Sequence, residues 1–231
     1  MSFYEQLVLA TEQHRRHVFE APLVTAALAG NISLETYVAF LTQAYHHVKH
    51  TVPLLMATGA RLPESHEWLR EAVAEYIEEE CGHQEWILND IDACGFDKEA
   101  VRRGQPSIAT ELMVSYAYDQ VNRVNPLAFF GMVQVLEGTS IKAATQAGQA
   151  IEASLGLPKK AFSYLYSHGD LDQQHICFFE KLMNRIDNKD EQEVIVHSAQ
   201  VFYKLYGDIF RSIEVRDRDN RLLAGEVNDA A

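Results

Sequence analysis

Residues 127–140 read LAFFGMVQVLEGTS, an apolar run in which Glu137 is the single acidic side chain. Apolar residues recur at helical spacing along most of the chain, and no segment alternates strictly over the length of a strand. Gly, Pro and Asn positions divide the chain into long helical segments, roughly residues 34–58, 64–93, 127–154, 159–186 and 191–215. The sequence therefore predicts an all-α bundle of seven or more helices, in which long neighbours are antiparallel.

The length and charge of the chain limit its organisation and its partners. A chain of 231 residues is within the range that one hydrophobic core can organise, so we expect a single domain over residues 1–231. Residues 216–231 are charged and aperiodic, which predicts a loose C-terminal tail. The formal net charge is −13, and no basic run could follow a phosphate backbone. We therefore expect no nucleic acid partner.

The cysteines and the apolar stretches indicate the compartment. Cys81, Cys94 and Cys177 are odd in number and form no CxxC pair, which is typical of reduced thiols. Charged residues occur early in the chain, and no later stretch of about 18 residues is wholly apolar. We expect a cytoplasmic protein that is neither secreted nor embedded in a membrane.

The segment from His168 to His175 has the spacing of a metal-binding helix face. His168, Asp172 and His175 have offsets of 0, 4 and 7, which on a helix fall within about 60° of one another. Two imidazoles and one carboxylate would then share a face. A polar helix face that holds these residues by coincidence explains the triplet equally well.

Glu80 and His83 form a second candidate pair, with the ExxH spacing used for carboxylate-bridged metals in helical bundles. Glu79 is an alternative to Glu80, because it lies four residues before His83. Acidic clusters are usually solvated, so a surface helix is the competing interpretation. The flanking Tyr76 and Trp86 argue against a wholly solvated helix.

Glu137 is the third candidate, because a carboxylate inside an apolar run is costly to bury unless it is paired or binds a metal. Lys142 or a tyrosine hydroxyl on a neighbouring helix is the alternative partner. Together the three segments supply three carboxylates and three imidazoles. Oxygen and nitrogen donors without a thiolate favour Fe or Mn over a closed structural zinc site.

These residues resemble the heme-oxygenase-like superfamily, which includes the TenA-type thiaminases, and within it the heme-oxygenase-like diiron oxidases. That family has a Glu and a His on one helix, a Glu on a later helix, and then HxxxDxxH. The matching residues are Glu80, His83, Glu137, His168, Asp172 and His175. The resemblance covers most of the chain, from about residue 33 to about residue 186. It implies an iron-dependent oxidoreductase with two Fe ions, O2 as co-substrate, a small organic substrate and a homodimer, while Mn is the alternative metal.

The segment 45–50, YHHVKH, also resembles this family. His46 and His50 share a helical face, and we expect them to line the substrate pocket together with Tyr45. Surface histidines, or hydrogen-bonded histidines in the core, explain the segment equally well.

Two other functions remain open alongside the diiron enzyme. One is a TenA-like hydrolase that uses no metal, but that family relies on a Cys of a mid-chain helix, and residues 95–176 contain no Cys. The other is a catalytically inactive bundle that binds a small ligand. The sequence does not identify the substrate of any of the three.

Overall fold

The computed structural model describes residues 1–223, except for the side chains of Lys142 and of residues 168–175. The described residues form eleven α-helices. They are α1 (Phe3–Phe19), α2 (Pro22–Leu28), α3 (Leu34–Val48), α4 (Thr51–Arg61), α5 (Glu67–Glu80), α6 (His83–Ala93), α7 (Lys98–Arg103), α8 (Ile108–Asp119), α9 (Phe129–Leu155), α10 (Ser163–Met183) and α11 (Lys189–Arg211).

The prediction of an all-α bundle of seven or more helices is confirmed. Within residues 1–223 no β-strand forms, although Arg216 and Leu222 make an isolated antiparallel bridge. A π-helical turn follows α8 over Gln120–Val124. No described helix is both long and apolar enough to cross a membrane.

Two segments that were predicted as single helices are broken in the structure. The predicted helix over residues 34–58 divides into α3 and α4 at residues 49–50. Pro53 explains this break, because proline lacks an amide hydrogen and its ring clashes with the carbonyl four residues earlier, here that of Lys49. The predicted helix over residues 64–93 divides at Cys81 and Gly82, where Gly82 has φ of 96°. This left-handed conformation cannot continue a right-handed helix.

The longest helix, α9, packs against both α10 and α11, and the side chains of Phe130, Phe162 and Phe202 are fully buried. Gly131 of α9 permits the close approach of α11. A Cβ atom at Gly131 would lie 2.5 Å from the backbone nitrogen of Ala199, so any larger residue would push the two helices apart. This packing holds the segment of α9 that contains Glu137 inside the bundle.

Residues 216–223, the described part of the predicted loose tail over residues 216–231, form a hydrogen-bonded turn. The backbone carbonyl of Arg216 accepts a hydrogen bond from the Ser33 amide at 2.8 Å, and Asp217 accepts hydrogen bonds from the amides of Asp219 and Arg221. These bonds form a turn that closes on the start of α3, and helical periodicity gives no sign of such a turn. Residues 224–231 lie outside the described residues.

Candidate metal centre

A cavity of about 80 Å³ lies among helices α3, α4, α5, α9, α10 and α11. Glu80, the last residue of α5, and Glu137, in the first half of α9, both line this cavity, as do His47 and Tyr76. We name it the carboxylate cavity. Its remaining described lining is largely apolar and includes Val48, Leu55, Phe129, Met132, Val133 and Leu136. Two acidic residues thus line one cavity in surroundings where an uncompensated charge is costly.

His83, the first residue of α6, pairs with Glu80 across the break between α5 and α6. The Nδ1 atom of His83 lies 3.0 Å from Oε2 of Glu80, and the His83 side chain is almost fully buried. The Trp86 ring stacks on the His83 ring, with 4.0 Å between the centroids. Glu80 and Trp86 together define the orientation of the imidazole. The i to i+3 spacing therefore brings the pair together, although the two residues belong to different helices.

Glu79 and Glu80, the two alternative ligands, differ in their relation to the carboxylate cavity. Glu80 is partly buried and lines the cavity, whereas Glu79 is exposed and is absent from its lining. The two side chains differ by about 100° around α5, so one points inward and the other outward.

Glu137 combines a buried carboxylate oxygen with electrostatic influence on its surroundings. Its Oε2 atom is shielded from solvent, and the residue has an interaction partner within the protein. Burial, followed by the charges of Glu180 and Glu137, raises the pKa of Tyr4 on α1. Glu137 on α9 therefore lies close enough to α1 to affect the pKa of a side chain there.

The other three predicted ligands, His168, Asp172 and His175, lie in α10, and their side chains are outside the described residues. Among the described side chains, no group of three or more His, Cys, Asp or Glu is arranged to hold a metal ion. The six-residue ligand set therefore stays a prediction. Its described members nonetheless fit iron by donor type, because two carboxylates and one imidazole without a thiolate suit Fe or Mn.

The structure places the predicted substrate-pocket residues away from the carboxylate cavity. His46 and His50 line a separate open groove beside α8, and Tyr45 is buried with its ring 5.3 Å from the His46 ring. The neighbouring His47 lines the carboxylate cavity instead. A signal in the sequence could have indicated this position. His47 lies three residues after Ala44 and so continues an apolar face of the helix.

The surroundings of both histidines of this groove disfavour their protonated form. Burial, followed by the positive charge of Lys49 and by His50, lowers the pKa of His46 to about 4. Lys49 Nζ lies 3.2 Å from Nδ1 of His46, and because an ammonium group only donates, this nitrogen accepts. Burial and Lys49 also lower the pKa of His50, whose Nδ1 lies 3.1 Å from the Tyr118 hydroxyl.

A second cavity, of about 90 Å³, adjoins the first and is lined almost entirely by apolar side chains of α2, α3, α9, α10 and α11. We name it the apolar cavity. Ser140, Tyr164 and Tyr206 line both cavities, so they form the shared wall. The two acidic residues therefore line one of two adjoining cavities, and the other cavity is hydrophobic.

Solved structures with similar architecture share a heme-oxygenase-like fold. A domain of unknown function from Shewanella denitrificans OS217, described as having that fold, has a TM-score of 0.80 and 21% identity over 92% of each chain. A TenA homolog from Pseudomonas syringae pv. tomato has a TM-score of 0.75 and 12% identity over 91% of each chain. Heme oxygenase from Leptospira interrogans has a TM-score of 0.71 and 16% identity over 92% of this chain and 100% of its own. The predicted fold is confirmed, and at these identities the likeness concerns the fold alone.

At the level of sequence, no curated protein matches the chain. The family described as iron-containing redox enzymes matches residues 38–207, a range that contains both acidic residues of the carboxylate cavity and all six predicted ligands. More than half of the chain is matched. The protein therefore belongs to the family of iron-containing redox enzymes.

Proposed function

We propose that the protein is a non-heme diiron enzyme that uses O2 to oxidise a small organic molecule. The observation that carries the proposal is the meeting of Glu80 and Glu137, from two different helices, at one largely apolar cavity. Acidic groups in such surroundings favour a bound cation. Membership of an iron-containing redox family makes iron the cation of choice.

The described residues have separate tasks in this proposal. Glu80, His83 and Glu137, with His168, Asp172 and His175 of α10, would hold two Fe ions, and Glu137 would help to hold both. Two divalent ions and three carboxylates would leave a net charge of about +1. The irons would supply the electron transfer to O2.

The protein part of the mechanism is orientation and exclusion of water. Trp86 stacks on His83 and limits rotation of the imidazole, while Glu80 lies at ion-pair distance from its Nδ1 atom. The apolar lining keeps bulk water from the reacting groups, which strengthens every electrostatic interaction there. His47 and Tyr76 line the same cavity and could exchange a proton with a bound substrate through the imidazole and the phenol.

The adjoining apolar cavity points to a substrate with a hydrocarbon part. We propose that this part occupies the apolar cavity while the reacting end lies beside Glu80 and Glu137. Each buried methylene contributes about 0.8 kcal/mol, or about fourfold in affinity. A series of short n-alkanols should therefore bind about fourfold more tightly for each added carbon until the cavity is full. Ala144→Phe, which fills the apolar cavity, should remove this dependence and leave iron binding unchanged.

TenA-like hydrolysis without a metal has less support from the described thiols. Burial, followed by the negative charge of Asp90, raises the pKa of Cys94 to about 11, so this cysteine is a thiol at neutral pH and a poor nucleophile. Cys81 and Cys177 are exposed, and neither lines the carboxylate cavity.

The decisive experiment measures Fe(II) binding and its response to O2. Protein prepared anaerobically should bind two Fe(II) per chain and develop a transient near-ultraviolet or visible absorption band when O2 is added. Glu137→Ala should bind less iron and lack the band. Glu79→Ala removes an exposed acidic side chain one residue from Glu80 and should behave as the wild type does. Folded wild-type protein that binds only trace Fe(II), with absorption unchanged by O2, would overturn the proposal.

A further inference from the structure

Asp90 is a fully buried acidic residue of α6 that the diiron proposal does not use. Its Oδ1 atom accepts a hydrogen bond from the Ser163 amide at 3.1 Å, and its Oδ2 atom accepts one from the Tyr164 amide at 2.9 Å. The Ser163 hydroxyl also donates to Oδ1. Asp90 therefore binds the first two residues of α10 through their backbone.

Helix α10 depends on this contact, because its own N-cap residue, Phe162, offers no side-chain acceptor. The first N–H groups of a helix lack partners within the helix and carry a partial positive charge. A carboxylate is the side chain best suited to them. Burial raises the pKa of Asp90, while the hydrogen bonds from Ser163 and Tyr164 oppose that rise.

A second contact fixes the direction of α10 relative to the segment that contains Glu80 and His83. The Tyr76 ring lies 5.5 Å from the Phe178 ring, measured between centroids. Residues 80–83 lie between Tyr76 and Asp90 along the chain, and residues 168–175 lie between Tyr164 and Phe178. The α5–α6 segment and α10 therefore run in opposite directions between the same two contacts.

Helix geometry shows what the Asp90 contact controls. At 1.5 Å per residue, His83 lies about 10 Å back along α6 from Asp90, and residue 168 lies about 7.5 Å forward along α10 from Ser163. Residue 172 lies about 13.5 Å forward. Measured along the helix axes from the Asp90 contact, His83 thus falls between residues 168 and 172. Its position relative to them depends on where α10 begins.

We propose that Asp90 is a positioning residue, which anchors the start of α10 on α6 and so sets the register of residues 168–175 against His83. The role rests on the proposed function, because it assigns a purpose to that register in binding metal. It also explains why a buried acidic residue accepts hydrogen bonds from a helix start and does not line the carboxylate cavity. Partners that orient metal ligands typically affect metal affinity by about tenfold to a hundredfold.

The test compares Fe(II) affinity in the full chain by the fluorescence of Trp86, in a Trp68→Phe background. Trp86 is then the single tryptophan, and its ring stacks on His83, so bound Fe(II) should quench it. Asp90→Asn retains one oxygen acceptor and should fold, with Fe(II) binding about tenfold to a hundredfold weaker. Ser163→Ala removes the hydroxyl donor alone and should weaken binding less than Asp90→Asn does.

Asn188→Ala is the matched control, because the Asn188 side chain accepts hydrogen bonds from the Asp190 and Glu191 amides at the start of α11. It should leave Fe(II) affinity unchanged. Hydrogen exchange without metal should quicken in α10 for Asp90→Asn and in α11 for Asn188→Ala.

The outcomes separate this proposal from the proposed function. Wild-type affinity in Asp90→Asn, with two Fe(II) bound by both proteins, would overturn the positioning role and leave the diiron enzyme intact. Equal losses of affinity in Asp90→Asn and Asn188→Ala would also overturn it, because general destabilisation would explain both. Failure of the wild type to bind Fe(II) would overturn the proposed function, and the positioning role with it.

Discussion

The two ends of α6 carry buried polar groups in opposite situations. Near its C-terminal end, Asp90 receives hydrogen bonds from the backbone of α10, so the protein itself supplies the donors. At its N-terminal end, His83 pairs with Glu80, and Glu80 shares a cavity with a second acidic residue, Glu137. Burial alone therefore does not separate a structural carboxylate from a functional one. The groups around the carboxylate separate the two cases, since backbone N–H donors indicate a structural role and a second carboxylate indicates a cation site.

The largest difference that we expect between replacing Asp90 and replacing Glu137 is in the stability of the protein without metal. Asp90→Ala removes the acceptor of two backbone N–H groups, and a buried donor without a partner costs about 1–3 kcal/mol. We expect the free energy of unfolding to fall by about 2–4 kcal/mol, measured by urea denaturation in the presence of a chelator. Glu137→Ala should lower it by less than about 1 kcal/mol, because its loss also relieves repulsion between acidic groups. Similar losses in both variants would contradict the distinction between a structural carboxylate at Asp90 and a functional one at Glu137.

Metal should separate Glu137→Ala from the wild type, which gives the second prediction. Fe(II) at a hundred times its dissociation constant should stabilise the wild type by about 2.7 kcal/mol for each ion bound, because it binds the folded state alone. The anaerobic melting temperature should therefore rise with Fe(II) in the wild type and in Glu79→Ala. It should rise less in Glu137→Ala, which binds less iron. A rise in Glu137→Ala equal to that of the wild type would show that Glu137 does not bind the metal.

The sequence predicted the fold better than it predicted the site, for physical reasons. Helical periodicity and caps are local, as at Ser33, whose side chain accepts a hydrogen bond from the Thr36 amide at the start of α3. The breaks at Pro53 and Gly82 also had local signals, which the long periodic pattern outweighed. Asp90 had none, because its partner Ser163 is 73 residues away in sequence, and only tertiary packing joins them.

The site residues, too, were predictable where the signal is local and not where it depends on tertiary packing. The apolar surroundings of Glu137 in the sequence indicated its place in the cavity, and the ExxH spacing indicated the pair of Glu80 and His83. The choice among His46, His47 and His50 depends on how α3 rotates against α6 and α8, which spacing along one helix cannot specify. His168, Asp172 and His175 remain predictions.

The third prediction concerns His46, which faces the outer groove while His47 lines the carboxylate cavity. The pKa of His46 is lowered to about 4, so between about pH 6.5 and pH 4 the unfolded chain binds a proton that the folded chain does not. Stability is therefore lost as the pH falls through this window. From pH 7 to pH 5 the loss due to this histidine should be at most about 2 kcal/mol, and His46→Gln should remove this part. Denaturation at the two pH values measures this difference, and an equal pH dependence in the variant would contradict it.

The smallest expected effect comes from Gly82, which lies between Glu80 and His83 at the start of α6. Its φ of 96° favours glycine, and a Cβ atom there would meet no other atom within 4 Å, so Gly82→Ala adds backbone strain without a clash. We expect a loss of about 1 kcal/mol in the free energy of unfolding.

Gly156→Ala provides the comparison that makes this small effect informative. Gly156 follows α9 with φ of 63° and equally open surroundings, so its replacement should cost about as much stability. Fe(II) affinity should separate the two variants, because relaxation at Gly82 changes the approach of His83 to Glu80, and relaxation at Gly156 does not. Chemical denaturation and anaerobic Fe(II) titration of both variants measure the two quantities. Equal stability loss with equal Fe(II) affinity would mean that the break between α5 and α6 ends a helix and has no part in holding metal.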